Sequence, residues 1–201
     1  MRSEKVIIII VSAFLVRIFI SCCDCTVPTE YQYSFDYISV YNLDNSGKEP
    51  IISPTNHVPE HAYGILIDFA LHKLSISKSR IESFQDASAF DCFCDADSIY
   101  SPKDTITSIT ITTNSYFNSQ YPAESDISNM FKIVGSNSYI SIMDYLRKPE
   151  QVYFHYEPHN EKLNLFLLQA PEIAGEFRFN VEVLLSDNRI LTMTSNPVTL
   201  E

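Results

Sequence analysis

The feature that most constrains this chain is a period of two in its apolar residues, clearest near the C-terminus. Phe177, Phe179, Val181, Val183 and Leu185 alternate with Arg178, Asn180, Glu182 and Leu184. Successive side chains of a strand point to opposite faces, so this spacing builds one apolar face and does not fit a helix. Ser186-Asp187-Asn188-Arg189 follows. These are residues that tolerate positive φ in a tight turn, and residues 190–194 return as the second arm of a hairpin. The same alternation opens the domain. Tyr31, Tyr33, Phe35 and Tyr37 alternate with Gln32, Ser34 and Asp36, after which the phase slips and Ile38 and Val40 carry the apolar face. A slip of one residue is what a β-bulge or a change of sheet produces.

Tyr63, Ile65, Ile67, Phe69 and Leu71 share one face of a long strand, with Gly64, Asp68 and His72 on the other. Ile109 and Ile111 alternate with Ser108, Thr110 and Thr112, and strand character recurs over residues 151–156 and 162–168. Between these runs, Asn45-Ser46-Gly47 signals a turn, and Pro50, Pro54 and Pro59 mark a loop. Residues 83–102 are polar and read as a surface crossover. Ser125-Asp126 is a candidate N-cap for a short helix presenting Ile127, Met130 and Phe131. A second short helix is expected over residues 139–147, with Ile142, Met143 and Leu146 inward, ending before Pro149. Many strands with helices confined to one insertion predict an all-β fold, an immunoglobulin-like antiparallel β-sandwich with one or two short helices. A mixed α+β domain is the alternative.

The N-terminus carries a different message. Arg2 and Lys5 precede an apolar stretch over residues 6–16, and Phe19-Ile20-Ser21-Cys22 follows. The stretch has the length of a secretory h-region and falls short of the ~18 apolar residues that a spanning helix needs. Ser21 is a small residue of the kind a signal peptidase accepts before its cut, and Cys22 then becomes the new N-terminus. The arrangement resembles a bacterial lipoprotein signal, whose cysteine is thioether-linked to diacylglycerol and whose amine is acylated, commonly with palmitate. On this reading residues 1–21 are the signal peptide, 22–30 a lipid-proximal tether and 31–201 the β-sandwich domain. A buried β-branched strand is the competing reading, and a non-cleaved anchor a third, which would hold Arg17 near lipid.

The chain carries a net charge of −11. Such a surface disfavours nucleic acid and repels anionic headgroups, so the contact with a membrane is assigned to lipid and not to charge. The apolar content supplies a core without metal or cofactor, and none is expected. With Cys22 lipidated, Cys23, Cys25, Cys92 and Cys94 remain as two Cys-x-Cys units. Closing each unit on itself needs a strained small ring, so disulfides between the units are the better expectation in an exported protein. A zinc site of four thiolates and free thiols in the core are the alternatives.

The Cys22-Cys23-Asp24 start, the Tyr-Gly-Ile-Leu-Ile strand from Tyr63, the Ile-Thr-Ser-Ile-Thr-Ile-Thr strand from Ile106 and the closing unit of residues 177–200 together resemble uncharacterised lipoproteins of Gram-negative, gut-type bacteria that are grouped as a domain of unknown function. The resemblance implies a cell-envelope location, most simply the outer membrane, and carries over no activity and no catalytic residue. In such bacteria an acidic run after the lipidated cysteine accompanies transport to the cell surface. Here Asp24 stands alone, and the periplasmic and outer faces both remain open.

Few constellations invite chemistry. His155, Glu157, His159 and Glu161 recur at every second residue, so an unbroken strand would align imidazoles and carboxylates for zinc or another divalent ion. Pro158 interrupts that strand, and a solvated hairpin end is the simpler reading. Asp91, Asp95 and Asp97 surround the second cysteine unit but lack the pattern of an EF-hand loop. No Gly-x-Ser-x-Gly elbow or phosphate-cradling loop is present. The tyrosine-rich strand from Tyr31 is a candidate sugar platform, weighed against aromatic core packing. The expectation is a non-enzymatic binding, adhesion-like or accessory lipoprotein with a protein or glycan partner. The alternative is a metal-dependent envelope hydrolase built on His155 and His159.

Overall fold

The computed structural model describes residues 30–75, 99–134, 138–147 and 161–201. Three sheets organise these residues. The largest runs in the order β2 (Ile51–Ile52), β1 (Glu30–Asp44), β4 (Tyr63–Ser75), β9 (Glu161–Leu167), β7 (Phe131–Val134) and β8 (Tyr139–Ser141), with β5 (Ile99–Pro102) added parallel to the start of β1. A second sheet joins β12 (Ile190–Thr194), β11 (Phe179–Leu185) and β6 (Ile106–Thr113), all antiparallel. A small third sheet holds β10 (Gly175–Phe177), β13 (Val198–Leu200) and β3 (His57–Val58).

Alternation decides which faces meet. Ile65, Ile67 and Phe69 of β4 and Leu163 and Leu165 of β9 are buried in the same cluster as Ile109 and Ile111 of β6 and Val181 and Val183 of β11. Aromatic rings bridge the layers: Tyr63 stacks on Phe179 with centroids 5.0 Å apart, and Phe131 meets Phe179 edge-on at 5.9 Å. Two sheets closed over a shared apolar layer make the all-β sandwich that the alternation predicts. The mixed α+β alternative falls away. Among the described residues the one α-helix is α1 (Ile142–Arg147), six residues long.

The phase slip in β1 is a bulge. Phe35 pairs with Leu71 and Tyr37 with Ala70, which leaves Asp36 as the extra residue. The C-terminal hairpin also follows its turn chemistry. Leu185 N–H donates to Arg189 C=O at 2.9 Å and Asn188 N–H to Leu185 C=O at 3.0 Å, with Asn188 at φ 69°. This is a three-residue loop whose last position needs the left-handed region, which asparagine adopts more readily than most residues.

Four expectations need correction. Asp126 does not start an α-helix: its Oδ1 accepts from Ser128 N–H at 2.9 Å, only a 3-10 turn (Ser128–Met130) forms, and Phe131 enters β7. Pairing of Phe131 with Leu167 outweighs the local helical signal. The helix expected over 139–147 loses its first turn to β8 and starts after Ser141, whose Oγ accepts from Asp144 N–H at 3.0 Å and donates to Asp144 Oδ2 at 2.6 Å. That reciprocal cap fixes the boundary; Ile142 is buried, Leu146 packs on the core, and Met143 is exposed. The end of the polar crossover is the strand β5. The alternating run from Phe177 to Leu185 divides at Arg178, whose N–H donates to Asn114 Oδ1 at 2.8 Å, so that β10 and β11 belong to different sheets.

Candidate functional site

Polar groups inside the sandwich are committed to holding elements together. Asp104, 3% exposed, accepts from Arg189 Nη2 at 2.6 Å and from Ser34 Oγ at 2.7 Å. Arg189 also donates to the Phe35 carbonyl at 2.7 Å and to Asp187 Oδ2 at 2.6 Å, which locks the hairpin turn onto the bulged strand. The hydrogen bond to Asp187 holds Arg189 above its usual range, and the same bond pulls Asp187 below the usual carboxylate range. On the other side of the core, Tyr63 OH donates to Asn42 Oδ1 at 2.8 Å, and Asn42 Nδ2 to Asn196 C=O at 3.0 Å. Burial raises the Tyr63 phenol far above its ordinary value. These are braces, with no nucleophile set against a base.

The tyrosine strand divides its rings between three environments. Tyr33 and Phe35 are core residues. Burial, and after it the charge of Glu161, pushes the Tyr33 phenol up to about 12. Tyr31 stacks on Tyr100 of β5 at 5.2 Å, with Lys73 Nζ 4.0 Å over the Tyr31 ring. Tyr37, which simple alternation places with Tyr33 and Phe35, is turned outward by the extra residue Asp36 and is 59% exposed.

Past the bulge, Tyr37, Ser39 and Tyr41 share the outer face of the large sheet. Their antiparallel partners on β4 are Ala70, Asp68 and Leu66, and beyond them on β9 lie Lys162 opposite Asp68 and Asn164 opposite Leu66. Two tyrosines four residues apart on one strand, about 13 Å by the rise per residue, therefore flank a polar row of Ser39, Asp68 and Lys162. Phe166 Cδ1 and Leu43 Cβ both border Gly64 at the end of this face, and Tyr139 meets Phe166 edge-on at 6.3 Å. Tyr139 and Tyr41 are themselves 51% and 38% exposed. Asp68 Oδ1 is buried without a hydrogen-bond partner, the one such side-chain atom among the described residues. An unpaired buried acceptor costs on the order of 1–3 kcal/mol, and its persistence asks for a reason.

Of the sequence-based candidates, Cys22, Cys23, Cys25, Cys92, Cys94, His155, Glu157 and His159 lie outside the described residues, as do Asp91, Asp95 and Asp97. Glu161 opens β9, where burial raises its carboxyl above the usual range. Among the described residues no three His, Cys, Asp or Glu side chains are grouped to hold a metal ion, and no helix is long and apolar enough to cross a membrane. The outer-face tyrosines were not separable from core aromatics by alternation alone; the phase slip was the signal that distinguished them.

The described architecture is that of an all-β sandwich whose buried polar groups brace the fold and whose large sheet presents an aromatic and polar outer face. A family model matches residues 36–196, and the chain belongs to that family, described as Domain of unknown function (DUF5034). No curated protein and no solved structure matches it.

Proposed function

We propose that this protein is a non-enzymatic binding module of the cell envelope, tethered to the outer membrane by lipid on Cys22, and that it binds glycan on the outer face of its large sheet. The bulge at Asp36 carries the reading. Bulges re-aim side chains where a site needs them, and this one takes Tyr37 out of the core and sets it on the same face as Tyr41. Aromatic faces stack on the C–H faces of pyranose rings, and the hydroxyl, carboxylate and ammonium groups of Ser39, Asp68 and Lys162 between them match the hydroxyls of a sugar. The tether rests on the order of Arg2, Lys5, the apolar stretch, Ser21 and Cys22.

A glycan array and titration with envelope polysaccharides test the reading, using wild type, Tyr37→Ala/Tyr41→Ala and Asp68→Ala. The expected result is binding by wild type that falls at least tenfold in both variants, with the β-rich circular dichroism unchanged. Binding that survives the tyrosine double variant, or no glycan bound at all, overturns the platform. Stoichiometric zinc in the purified protein together with hydrolytic activity lost in His155→Ala/His159→Ala would favour the hydrolase.

A further inference from the structure

We propose that β12 is the joining edge of a symmetric dimer, in which Ile190–Thr194 of one copy pairs antiparallel with the same strand of a second copy about a two-fold axis at Thr192. β12 ends its sheet: β11 bonds one edge, and among the described residues no strand pairs with the other. The two ends of the hairpin fix where its backbone groups point. Leu185 N–H donates to Arg189 C=O at 2.9 Å and Ser195 N–H to Phe179 C=O at 2.8 Å. Bonded and non-bonded pairs alternate along the unbroken antiparallel ladder between them, so Leu191 and Met193 bond inward to β11. Ile190, Thr192 and Thr194 therefore aim their N–H and C=O groups at the open edge. Their side chains stand opposite Leu184, Glu182 and Asn180 on the outer face of the sheet, where Thr194 Oγ1 donates to Asn180 Oδ1 at 3.1 Å.

The two edges of this sheet are finished differently. On the β6 edge the chain supplies its own partners: Ile127 N–H donates to the Ile111 carbonyl at 2.8 Å, Glu124 N–H to the Thr113 carbonyl at 2.7 Å, and Ser128 Oγ accepts from Ile111 N–H at 2.8 Å. Among the described residues β12 has no such cover. It also lacks the devices that blunt an exposed edge, with no charged side chain or proline from Ile190 to Ser195 and no bulge in its ladder. Ile190, Thr192, Met193 and Thr194 are all exposed.

Register identifies the occupant as a second copy. Outward-pointing groups pair only with outward-pointing groups, and centring on Thr192 is the one register of two β12 strands that pairs every residue of both. Thr192 then faces its counterpart, Ile190 faces Thr194 of the second copy, and on the inner side Met193 faces Leu191 of the second copy. Such threonine and β-branched pairs favour cross-strand contact. Met193 is exposed and Leu191 packs on the core, so the pairing extends the apolar layer across the joint. Charge permits the approach although the chain carries −11. Glu182 lies one strand behind Thr192, so the two copies of Glu182 come no closer than three strand spacings. That is about 14 Å, beyond the screening length of about 8 Å at physiological salt. A joint of one strand pair belongs to the small, reversible class of interfaces, below about 1,200 Å².

Cysteine trapping in the full-length protein reads the register. Opposed residues of a bonded antiparallel pair have Cα atoms about 5.5 Å apart, within the range of about 4.4–6.8 Å that a disulfide accepts. Trypsin cuts after Arg189 and releases residues 190–201 together, a peptide that holds no native cysteine. Mild oxidation of Thr192→Cys should link this peptide to itself. Ile190→Cys alone should not link to itself, because its counterpart lies about 13 Å away, whereas a mixture of Ile190→Cys with Thr194→Cys should give the mixed pair. In sedimentation over a concentration series, wild type should associate reversibly to the dimer mass. Thr192→Lys, which sets two ammonium groups against each other, should weaken that association at least tenfold with the circular dichroism unchanged, and mixing it with Thr192→Glu should restore it. Four outcomes overturn the proposal: wild type that stays monomeric with no Thr192→Cys link, self-linkage of Ile190→Cys, association unaffected by Thr192→Lys, or Thr192→Cys trapped in cells on a different protein in place of itself.

Discussion

At the scale of the residue, three side chains show how local chemistry sets stability. Glu124 sits at φ 67°, where its N–H reaches the Thr113 carbonyl at 2.7 Å. The left-handed region costs an L-residue with a side chain about 1–2 kcal/mol, partly offset on replacement by the extra unfolded-state freedom of glycine. Glu124→Gly should therefore stabilise the fold by about 0.5–1 kcal/mol in urea titration, and a loss of stability would refute the strain. Asp104 accepts from two groups in the interior, but Arg189, 41% exposed at its side chain, regains water when its partner is removed. Asp104→Ala should then cost about 2–3 kcal/mol, below the range for a fully buried pair. A cost under about 0.5 kcal/mol would mean that the brace contributes no more than a surface ion pair. Glu161 has its carboxyl raised by burial, so the folded state favours the protonated form. The stability this contributes is fully present below the unfolded carboxylate pKa and is lost as pH rises through the folded value. Glu161→Gln should accordingly raise Tm at pH 8 and leave it nearly unchanged at pH 3.5. A variant that stabilises equally at both pH values, or only in acid, contradicts this linkage.

At the scale of the element, alternation identified the buried faces of β4, β6 and β11 and, the bulge aside, of β1, because a one-residue slip would turn every apolar side chain of a strand to water. It could not identify neighbours. The parallel pairing of β1 with β5 joins residues far apart in sequence, and residues 83–102 are too polar to announce a strand at their end. The break at Arg178 was hidden for the same reason: its cause is Asn114, a distant residue that takes its N–H. Of the candidate face, Asp68 was already placed opposite the core by period, whereas Tyr37 read as core until the bulge fixed its side. Gly64 is a further element-scale constraint. A Cβ there would lie 2.8 Å from the Leu165 carbonyl and 3.2 Å from Phe166 Cδ1. The backbone of β9 cannot yield as a flexible side chain would, so Gly64→Ala should cost about 1–3 kcal/mol. It should also displace Phe166 from the outer face, measurable as a changed aromatic signal in near-ultraviolet circular dichroism. A neutral substitution would show that β4 and β9 are less closely apposed than this contact requires.

At the scale of the whole molecule, charge and anchor make opposite demands on membrane binding. A chain of net charge −11 is repelled by an anionic bilayer surface, and salt screens that repulsion within about 8–10 Å. Lipid behaves differently. One acyl chain gives only marginal attachment, whereas two or more hold a protein firmly. The diacylglycerol and N-acyl groups proposed for Cys22 exceed that threshold, so retention should not depend on electrostatics. The protein should stay in the membrane fraction through a wash at 1 M salt, and detergent should release it. Cys22→Ala should abolish processing and move the chain out of the detergent-extracted pool while the sandwich, whose described strands begin at Glu30, keeps its β-rich spectrum. Intact mass of the wild type supplies the independent measurement: cleavage before Cys22 with three acyl chains supports the anchor, and an unmodified Cys22 or a cut elsewhere removes it. Release by salt alone would point instead to a protein partner in the membrane as the attachment.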